Sequence, residues 1–291
     1  MEKIAIIGPG AIGATVAAHL GQTGRYEIVV CARSKLDRIE IETPDGTFTT
    51  TPRVITAPAQ ESPAAWILVT TKTYDARAAA LWLPSLTGPT TRLAVLQNGI
   101  EHVERFAPFF DPSRILPVVV DCPAERIAPG KVRQRRMGHM TVTDSPMGNA
   151  FSALFAGTRI EVRKTNDFVT AAWAKLCINS AGAVNALTLK PARIVHLQEA
   201  ADLMRGVVRE CIAVGRADGA DLPDSLVEAV IEGYRNAAPD SINSLHSDRL
   251  EKRPMESDAR NGVIVLRGAK HGISTPINRT IVALLKAIEA P

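Results

Sequence analysis

Short apolar runs alternate with helix-like segments through the first half of the chain, and the pattern changes near residue 166. Lys3–Ile7, Glu27–Cys31, Trp66–Thr70 and Leu93–Leu96 are short and rich in Ile, Val and Leu, which predicts strands. Ala11–Thr23 and Ala76–Leu83 supply helical material between them. Strands that recur with helices between them imply βαβ units and a parallel sheet covered on both faces. Ile115–Asp121 and Met140–Asp144 predict further strands, in an antiparallel extension. From Asp167 onward longer helical patterns take over, at Leu203–Ala217, Ser225–Asn236 and Asp258–His271. Ser274-Thr275-Pro276 then opens a last helix, with a hydroxyl cap and a proline in the first turn. The expected class is α/β: a doubly wound sheet in residues 1–166, then an all-helical domain in residues 167–291. The crevice between two such domains is the natural place for a ligand.

Composition narrows the function classes. A chain of 291 residues holds about two domains. Its 46% hydrophobic and 22% charged residues are ordinary for a globular protein, so a core needs no disulfide or metal staple. Lys plus Arg is 34 against 30 for Asp plus Glu, and a net charge of +4 is too mild to indicate nucleic acid. The one basic cluster, Lys131, Arg133, Arg135 and Arg136, alternates through Val132 and reads as the solvent face of a strand. Cys31, Cys122, Cys177 and Cys211 show no C-x-x-C spacing and read as reduced, mostly packed thiols, which fits a cytoplasmic protein. Residues 3–20 are apolar with a basic start, but three glycines and a proline interrupt them. No apolar stretch approaches the ~18 residues that a membrane span needs. His19, His102, His139, His196, His246 and His271 show neither H-x-x-x-H nor H-E-x-x-H spacing, so no metal is expected.

Gly8-Pro9-Gly10-Ala11-Ile12-Gly13 follows the first predicted strand directly and opens a helix. That context makes a G-x-G-x-x-G turn a dinucleotide-binding candidate and the N-terminal sheet a Rossmann-type one. Gly8 permits the tight turn, Gly10 lets the backbone approach a pyrophosphate, and Gly13 lets the helix pack on the strand. Helix N-terminal amides then face the phosphates. NAD- and FAD-binding versions usually place an acid at the end of the second strand. Here the run is Val29-Val30-Cys31-Ala32-Arg33-Ser34, with Lys35 next. Arg33 can grip a 2′-phosphate with its planar fork and Ser34 can add a hydroxyl, which favours NADP over NAD and either over FAD. The alternative is an arginine merely exposed after a strand.

Three later segments carry candidate chemistry. Lys72 lies just past a buried strand in Leu68-Val69-Thr70-Thr71-Lys72, and Asn98 follows another in Leu96-Gln97-Asn98-Gly99. The carboxyl ends of strands line the ligand crevice of an open α/β sheet, so both would face the cofactor, although Asn-Gly is also a good turn dipeptide. Lys175 and Asn179, in Trp173-Ala174-Lys175-Leu176-Cys177-Ile178-Asn179, are four apart and share a helix face. A lysine in such apolar surroundings is either a snorkelling surface residue or a desolvated functional amine.

Taken in order, the glycine turn, Arg33, Lys72, Asn98-Gly99, the Lys175…Asn179 helix and a Ser244…Glu256 segment resemble the ketopantoate reductase family, the 2-dehydropantoate 2-reductases of pantothenate biosynthesis. Ser244-Leu245-His246-Ser247-Asp248 is similar to its S-[ML]-x-x-D stretch. Arg253-Pro254-Met255-Glu256 with Asn261-Gly262 is similar to its R-P-x-E…N-G signature, and His271-Gly272-Ile273 with Pro276 to its closing H-G-[IV]-x-x-P. The resemblance implies NADPH-dependent hydride transfer to the C2 carbonyl of a small 2-keto acid, with Lys175 as proton donor. It implies that Glu256 binds and orients the substrate. Asn179 and Ser244 then offer it neutral hydrogen bonds, and Lys72 and Asn98 stand at the nicotinamide end and help close the site, where Asn98 also binds the substrate. Neither membrane nor nucleic acid is an expected partner, and a homodimer is a candidate assembly. The family's further asparagines find poor counterparts: Asn185 needs a small insertion to fit, and Ser241 stands near a second position with Asn243 close by. That departure leaves room for a reductase of another 2-keto acid. A non-catalytic NADP-binding sensor is the reading from a different class.

Overall fold

The apolar run that ends at Ile7 is the middle of a parallel sheet. A computed structural model describes residues 1–58 and 61–290. The chain divides into two units, Met1–Asn166 and a second from Asp167 onward. In the first, β1 (Glu2–Ile7), β2 (Tyr26–Cys31), β5 (Arg53–Ile55), β6 (Trp66–Val69), β7 (Arg92–Val95) and β8 (Ile115–Pro117) form one sheet in the order β5-β2-β1-β6-β7-β8. Every pairing in it is parallel. Counted along the chain this is the order 3-2-1-4-5-6, which reverses direction between β1 and β6. Register is continuous across the sheet: Ile7 pairs with Cys31 and Val69, Val69 with Val95, and Val95 with Pro117. The loops that follow those residues therefore leave the sheet along one edge.

Alternation along each strand sends neighbouring side chains to opposite faces, and here both faces are buried. Ile4, Ile6, Val30 and Leu68 pack with Leu20, Phe151 and Phe155. Ala5, Ile7, Ile67 and Val95 pack with Leu83, Leu86 and Phe106. Each such fully buried aliphatic side chain contributes roughly 1.5–3 kcal/mol. A second sheet, β10-β11-β3-β4, joins β3 (Ile39–Thr43), β4 (Gly46–Thr50), β10 (Ala124–Ala128) and β11 (Lys131–Gln134). Contacts to it enclose the helix Ala11–Gln22 on the side away from the main sheet: His19 Nε2 lies 3.0 Å from Gln134 Oε1, and its ring meets Phe48 edge-on at 5.1 Å. The helix is thus buried from Gly13 to Leu20 without a solvent stripe, which is why its sequence is apolar nearly all round.

The structure corrects the expected extension. Ile115–Asp121 is not one antiparallel strand. Its first part is β8, parallel to β7, and only β9 (Val119–Asp121) pairs antiparallel, with β12 (His139–Thr143). A further strand, β13 (Glu161–Thr165), runs parallel to β12. The segment predicted as one helix at Ala76–Leu83 is broken into Ala76–Ala80 and Leu83–Leu86, with Pro84 in the first turn of the second. Half of the basic cluster is the expected solvent face of β11, where Lys131 pairs with Glu40 and Glu42 and Arg133 with Glu42; Arg135 and Arg136 lie past the strand's end and pair with Glu125 and Asp121. No helix among the described residues is long and apolar enough to cross a membrane.

Among its described residues the second unit contains helices and no strand. Ala201, Met204, Val207, Val208, Cys211, Ile212 and Gly215 form the buried stripe of helix Gln198–Ala217. Gly215 is required there, because a Cβ would stand 2.8 Å from Leu222 Cδ1 and 3.0 Å from the Trp173 ring. Asp258–His271 is not one regular helix: a π-helical turn, Asp258–Gly262, precedes helix Val263–Lys270. The last helix, Pro276–Glu289, has Thr275 at its cap position, but the hydroxyl makes no capping bond. Glu210, from helix Gln198–Ala217, does the work instead. Its carboxylate accepts from the backbone N–H of Ile277 and Asn278, both at 2.9 Å, and from Asn278 Nδ2 at 2.7 Å. Asn278 Oδ1 in turn accepts from Asn261 Nδ2 at 2.9 Å, and the same Nδ2 donates to Ser180 O at 3.2 Å.

Two outcomes follow from these packing facts. Glu210→Ala removes a helix cap and leaves the backbone N–H groups of Ile277 and Asn278 without their acceptor, so urea unfolding should show a loss of about 2–4 kcal/mol, whereas Thr275→Val should stay within about 0.5 kcal/mol. Equal losses would mean that the hydroxyl is the cap after all. In the first unit, burial and then the Arg105 guanidinium pull the His102 imidazole down from 6.5 to about 4. As pH falls the unfolded chain takes up this proton first. The ring's contribution of roughly 3 kcal/mol is therefore complete above pH 6.5 and is lost between there and about pH 4. His102→Gln should flatten that limb of the stability–pH curve; a limb unchanged in slope would assign the acid sensitivity elsewhere.

Candidate functional site

In the first unit the candidate residues sit on the loops that leave the common edge of the main sheet. Gly8 has φ +93°, in the region that only glycine enters cheaply, and a Cβ on it would fall 2.6 Å from Thr71 Cγ2. Its N–H donates to Cys31 O at 3.0 Å, which ties the turn to the end of β2. Gly13 is fixed by a closer approach, since a Cβ there would stand 2.2 Å from Gly8 O and 2.3 Å from Thr70 Oγ1. Gly10 differs. A Cβ on it would meet no atom within 4 Å, so nothing inside the chain demands glycine and the space above it is open. No side chain caps helix Ala11–Gln22, and no acidic residue occupies its first turn. The amides of Ala11, Ile12 and Gly13 are thus first-turn donors at the positive end of a helix dipole, an arrangement suited to a phosphate. Pro9 completes the turn, half-buried.

Arg33, Ser34 and Lys35 are exposed past the end of β2, and residues 32–36 contain no acid. The Arg33 guanidinium makes no hydrogen bond or ion pair with the described residues. Lys72 flanks a short 3₁₀ turn, Thr73–Asp75, and is half-buried; Asn98 is half-buried beside Gly99, which has φ +93°. These two loops are held together by Gln97. Its Nε2 donates to Thr71 Oγ1 at 2.9 Å and to the carbonyls of Thr71 and Lys72, both at 3.1 Å. Its Oε1 accepts from Arg105 Nη1 at 3.0 Å, and its backbone carbonyl lies 3.0 Å from His102 Nε2. Gln97 and Thr70, whose hydroxyl donates to Ile7 O and Gly8 O at 2.9 and 2.7 Å, are the positioning residues that sequence reasoning missed. Their signal was a polar side chain placed directly after a buried strand.

The second unit carries the other set. Asp167 accepts from Thr170 N at 2.9 Å and so starts helix Phe168–Ala181, which carries Lys175 and Asn179 one turn apart. Ala172, Trp173, Leu176, Cys177 and Ser180 bury the opposite stripe, while Lys175 and Asn179 are half-buried and Ile178 is exposed. Ser244 opens helix Ser244–Leu250, and Glu256 is buried between that helix and the π turn. One residue that the sequence reading passed over connects this set. Arg260, 2% exposed, donates through Nη2 to Ser244 Oγ at 2.7 Å and through Nη1 to Asn179 O at 3.4 Å. It lies inside the stretch between Glu256 and Asn261, which was read only at its ends.

The two doubtful asparagines have structural work. Asn243 caps helix Ser244–Leu250 through Oδ1, which accepts from His246 N, and its Nδ2 donates to Gly182 O at 2.9 Å. Asn185 is buried and donates to Lys190 O at 3.0 Å, closing the turn where Leu189 takes φ +52°. None of the four cysteines forms a disulfide among the described residues, and burial pushes Cys31 up to about 12, so it is no nucleophile. No group of three or more His, Cys, Asp or Glu among the described residues is placed to hold a metal ion.

Comparison with known proteins agrees with both halves. The family model described as "Ketopantoate reductase PanE/ApbA" matches residues 4–146, and the one described as "Ketopantoate reductase PanE/ApbA C terminal" matches residues 167–289. The chain is 56% identical over 287 residues to a 2-dehydropantoate 2-reductase of Caulobacter vibrioides, covering 99% of each. It is 36% identical over 291 residues to one from Mycobacterium tuberculosis, covering 98% of this chain and 97% of the relative. Among solved structures, a PanE/ApbA family ketopantoate reductase from Ralstonia eutropha superposes with a TM-score of 0.90 at 29% identity, over 99% of this chain and 98% of the other. The fold, the glycine turn and the lysine–asparagine helix thus lie in a chain matched along nearly its whole length by one kind of reductase, and the chain belongs to the ketopantoate reductase family.

Proposed function

We propose that this chain reduces 2-dehydropantoate to (R)-pantoate with NADPH, as a step of pantothenate biosynthesis. The observation that carries the reading is the second unit's side-chain set. Lys175, Asn179, Ser244 and a buried Glu256 are all present, in a chain 56% identical to a 2-dehydropantoate 2-reductase over 99% of its length. A binding protein without catalysis would have no need of that set, which speaks against the sensor reading.

The first unit fits a dinucleotide with a 2′-phosphate. Open space over Gly10 and the uncapped amides of Ala11, Ile12 and Gly13 suit the pyrophosphate. Arg33 has its fork free of partners among the described residues, and residues 32–36 include no acid to repel a second phosphate. When bound, the reduced dinucleotide supplies the hydride for the C2 carbonyl. Lys72 and Asn98, held by Gln97, serve its nicotinamide end. The chain's own part in the chemistry is electrostatic and acid catalysis. The Lys175 ammonium stabilises the negative charge that develops on the C2 oxygen and then gives that oxygen a proton. Asn179 and Ser244 hydrogen-bond the substrate, and Glu256 holds its hydroxyl end and orients it toward the lysine.

A second reading, reduction of a different small 2-keto acid, is favoured by one observation: Asn185 and Asn243 are committed to backbone carbonyls and to a helix cap. A D-mandelate dehydrogenase with NADH shares the fold, with a TM-score of 0.89 at 20% identity. The proposed location is the cytoplasm, in keeping with four cysteines that form no disulfide among the described residues. The proposed assembly is a homodimer, the state named for a Staphylococcus aureus ketopantoate reductase of the same fold, with a TM-score of 0.88.

The deciding assay follows oxidation of NADPH with 2-dehydropantoate, beside pyruvate and 2-ketoisovalerate. Efficient turnover of 2-dehydropantoate alone is the expected result; preference for another acid would install the second reading. Arg33→Ala should raise KM for NADPH about 10–100-fold and leave NADH unchanged, the loss of one charge-assisted contact. Equal losses for both would remove the 2′-phosphate role. Lys175→Ala should lower kcat by about 10²–10⁴ with NADPH binding intact, the usual scale of a lost general acid; unaltered turnover would send the proton donor elsewhere.

A further inference from the structure

Arg260 is a buried cation without an anion. Its side chain is 2% exposed, and no carboxylate among the described residues lies within ion-pair distance of it. Its two hydrogen bonds go to neutral oxygens, Ser244 Oγ and Asn179 O. Its Nε–H is buried with no acceptor at all. The Tyr234 phenol, which feels this charge, is pushed up by burial and stays neutral while its hydroxyl donates to Ile178 O at 3.0 Å. Leaving a guanidinium buried and uncompensated costs several kcal/mol, and a stranded N–H adds about 1–3 kcal/mol. An apolar side chain of similar length would avoid both costs. The arginine is therefore explained best by a negative charge that arrives from outside the chain.

The bond to Ser244 says where that charge would sit. A serine hydroxyl has one proton and two lone pairs. Because Oγ accepts from Arg260 Nη2 at 2.7 Å, the hydroxyl cannot aim its proton at the guanidinium and must donate elsewhere. Ser244 is otherwise an exposed residue at the start of its helix, so the proton is presented outward, backed by a full positive charge. Such a hydroxyl is a polarised donor suited to a carboxylate. The second contact places the same charge against the carbonyl of Asn179, one turn from Lys175.

We propose that Arg260 is a specificity-determining positioning residue, which acts through Ser244 to select the carboxylate of the 2-keto acid over neutral carbonyl compounds. This rests on the reading of the second unit's side chains as a 2-keto acid site. It assigns charge recognition to a residue that never needs to touch the substrate.

The test titrates the full-length protein, saturated with NADP⁺, with oxamate and with oxamide. The first carries the carboxylate of a 2-keto acid, and the second replaces it by a neutral amide. Wild type should bind oxamate the more tightly. Arg260→Met should weaken oxamate about 10-fold or more and leave oxamide within about twofold, as expected for a lost charge-assisted contact. Arg260→Lys should restore part of the preference. Should Arg260→Met fail to fold, Ser244→Ala, at an exposed position, decides the matter with the same expected pattern. In the double variant, the second substitution should add little to the first. Equal losses for both ligands, additive losses, or no oxamate preference in wild type would overturn the proposal. Turnover separates it from the reaction assigned above. If wild type reduces no 2-keto acid yet binds oxamate through Arg260, the reaction falls and the anion relay stands. If it reduces 2-dehydropantoate and Arg260→Met keeps the full oxamate preference, the relay falls and the reaction stands.

Discussion

The approach of Gly13 to the turn below it governs the first unit. A helix backbone passes so close to Gly8 O and Thr70 Oγ1 that even a methyl group would overlap both. That contact exists because β1, β2, β6 and β7 end in register, so that the chain turns from strand to helix directly over the neighbouring strand's last residue. The Thr70 hydroxyl reinforces the approach by sharing its proton between Ile7 O and Gly8 O, carbonyls that also accept from the backbone N–H of Thr70 and Gly10. Once the helix is fixed there, its first amides point over the sheet edge and Gly10 faces open space. The loops after β6 and β7 are then joined by the four-way hydrogen bonding of Gln97. A phosphate-binding geometry is thus a consequence of close packing, with no side chain assigned to hold the phosphate itself.

The second unit solves a different problem with buried polarity. Helix Phe168–Ala181 must present Lys175 and Asn179 on one side while its other side is packed. Its far end is held by Asn261 on Ser180 O, and Asn261 is held by Asn278, whose amide is held by Glu210. Each member of that chain bonds the next, with Asn261 Oδ1 alone left buried and unpartnered, and Glu210 also caps the last helix. Such a network specifies one arrangement of helices more sharply than apolar packing, which tolerates sliding. The π turn at Asp258–Gly262 belongs to the same device. It lets Arg260 and Asn261, adjacent in sequence, serve two partners: one reaches Ser244 and Asn179, the other Ser180 and Asn278.

These differences explain what could be read from the sequence. The four central strands of the parallel sheet, β2, β1, β6 and β7, were legible because they are buried on both faces and rich in Ile, Val and Leu, whereas three-residue β5 was not read and β8 was expected to be antiparallel. The glycine turn was legible because its glycines stand within six residues directly after a buried strand, although the contacts that fix Gly8 and Gly13 include Thr71 and Thr70 from the next strand's end. The second sheet escaped notice: β3, β4 and β10 are short, half-exposed and rich in Thr and Glu, and only pairing with distant partners makes them strands. The cap of the last helix was misassigned to Thr275 because local pattern names the nearest hydroxyl, whereas Glu210 arrives from 67 residues away. Arg260 was missed for the same reason. Its partners are 16 and 81 residues distant, and the signature around it is legible only at Glu256, Asn261 and Gly262.

On the roles proposed above, the two units would meet negative charge by opposite means. In the first, the donors are backbone amides and an exposed arginine, and water solvates them until a ligand comes. Their affinity is then set by the ligand's own desolvation and by salt. In the second, Arg260 is already stripped of water, so the cost of desolvation is borne in folding and the charge is not screened. A polarised donor prepared in that way discriminates an anion from a neutral isostere more sharply than a solvated one, because no reorganisation remains to blur the difference. A dinucleotide brings several phosphates and can be held by many weak contacts. A small keto acid brings one carboxylate, and recognising it calls for a charge that is fixed beforehand.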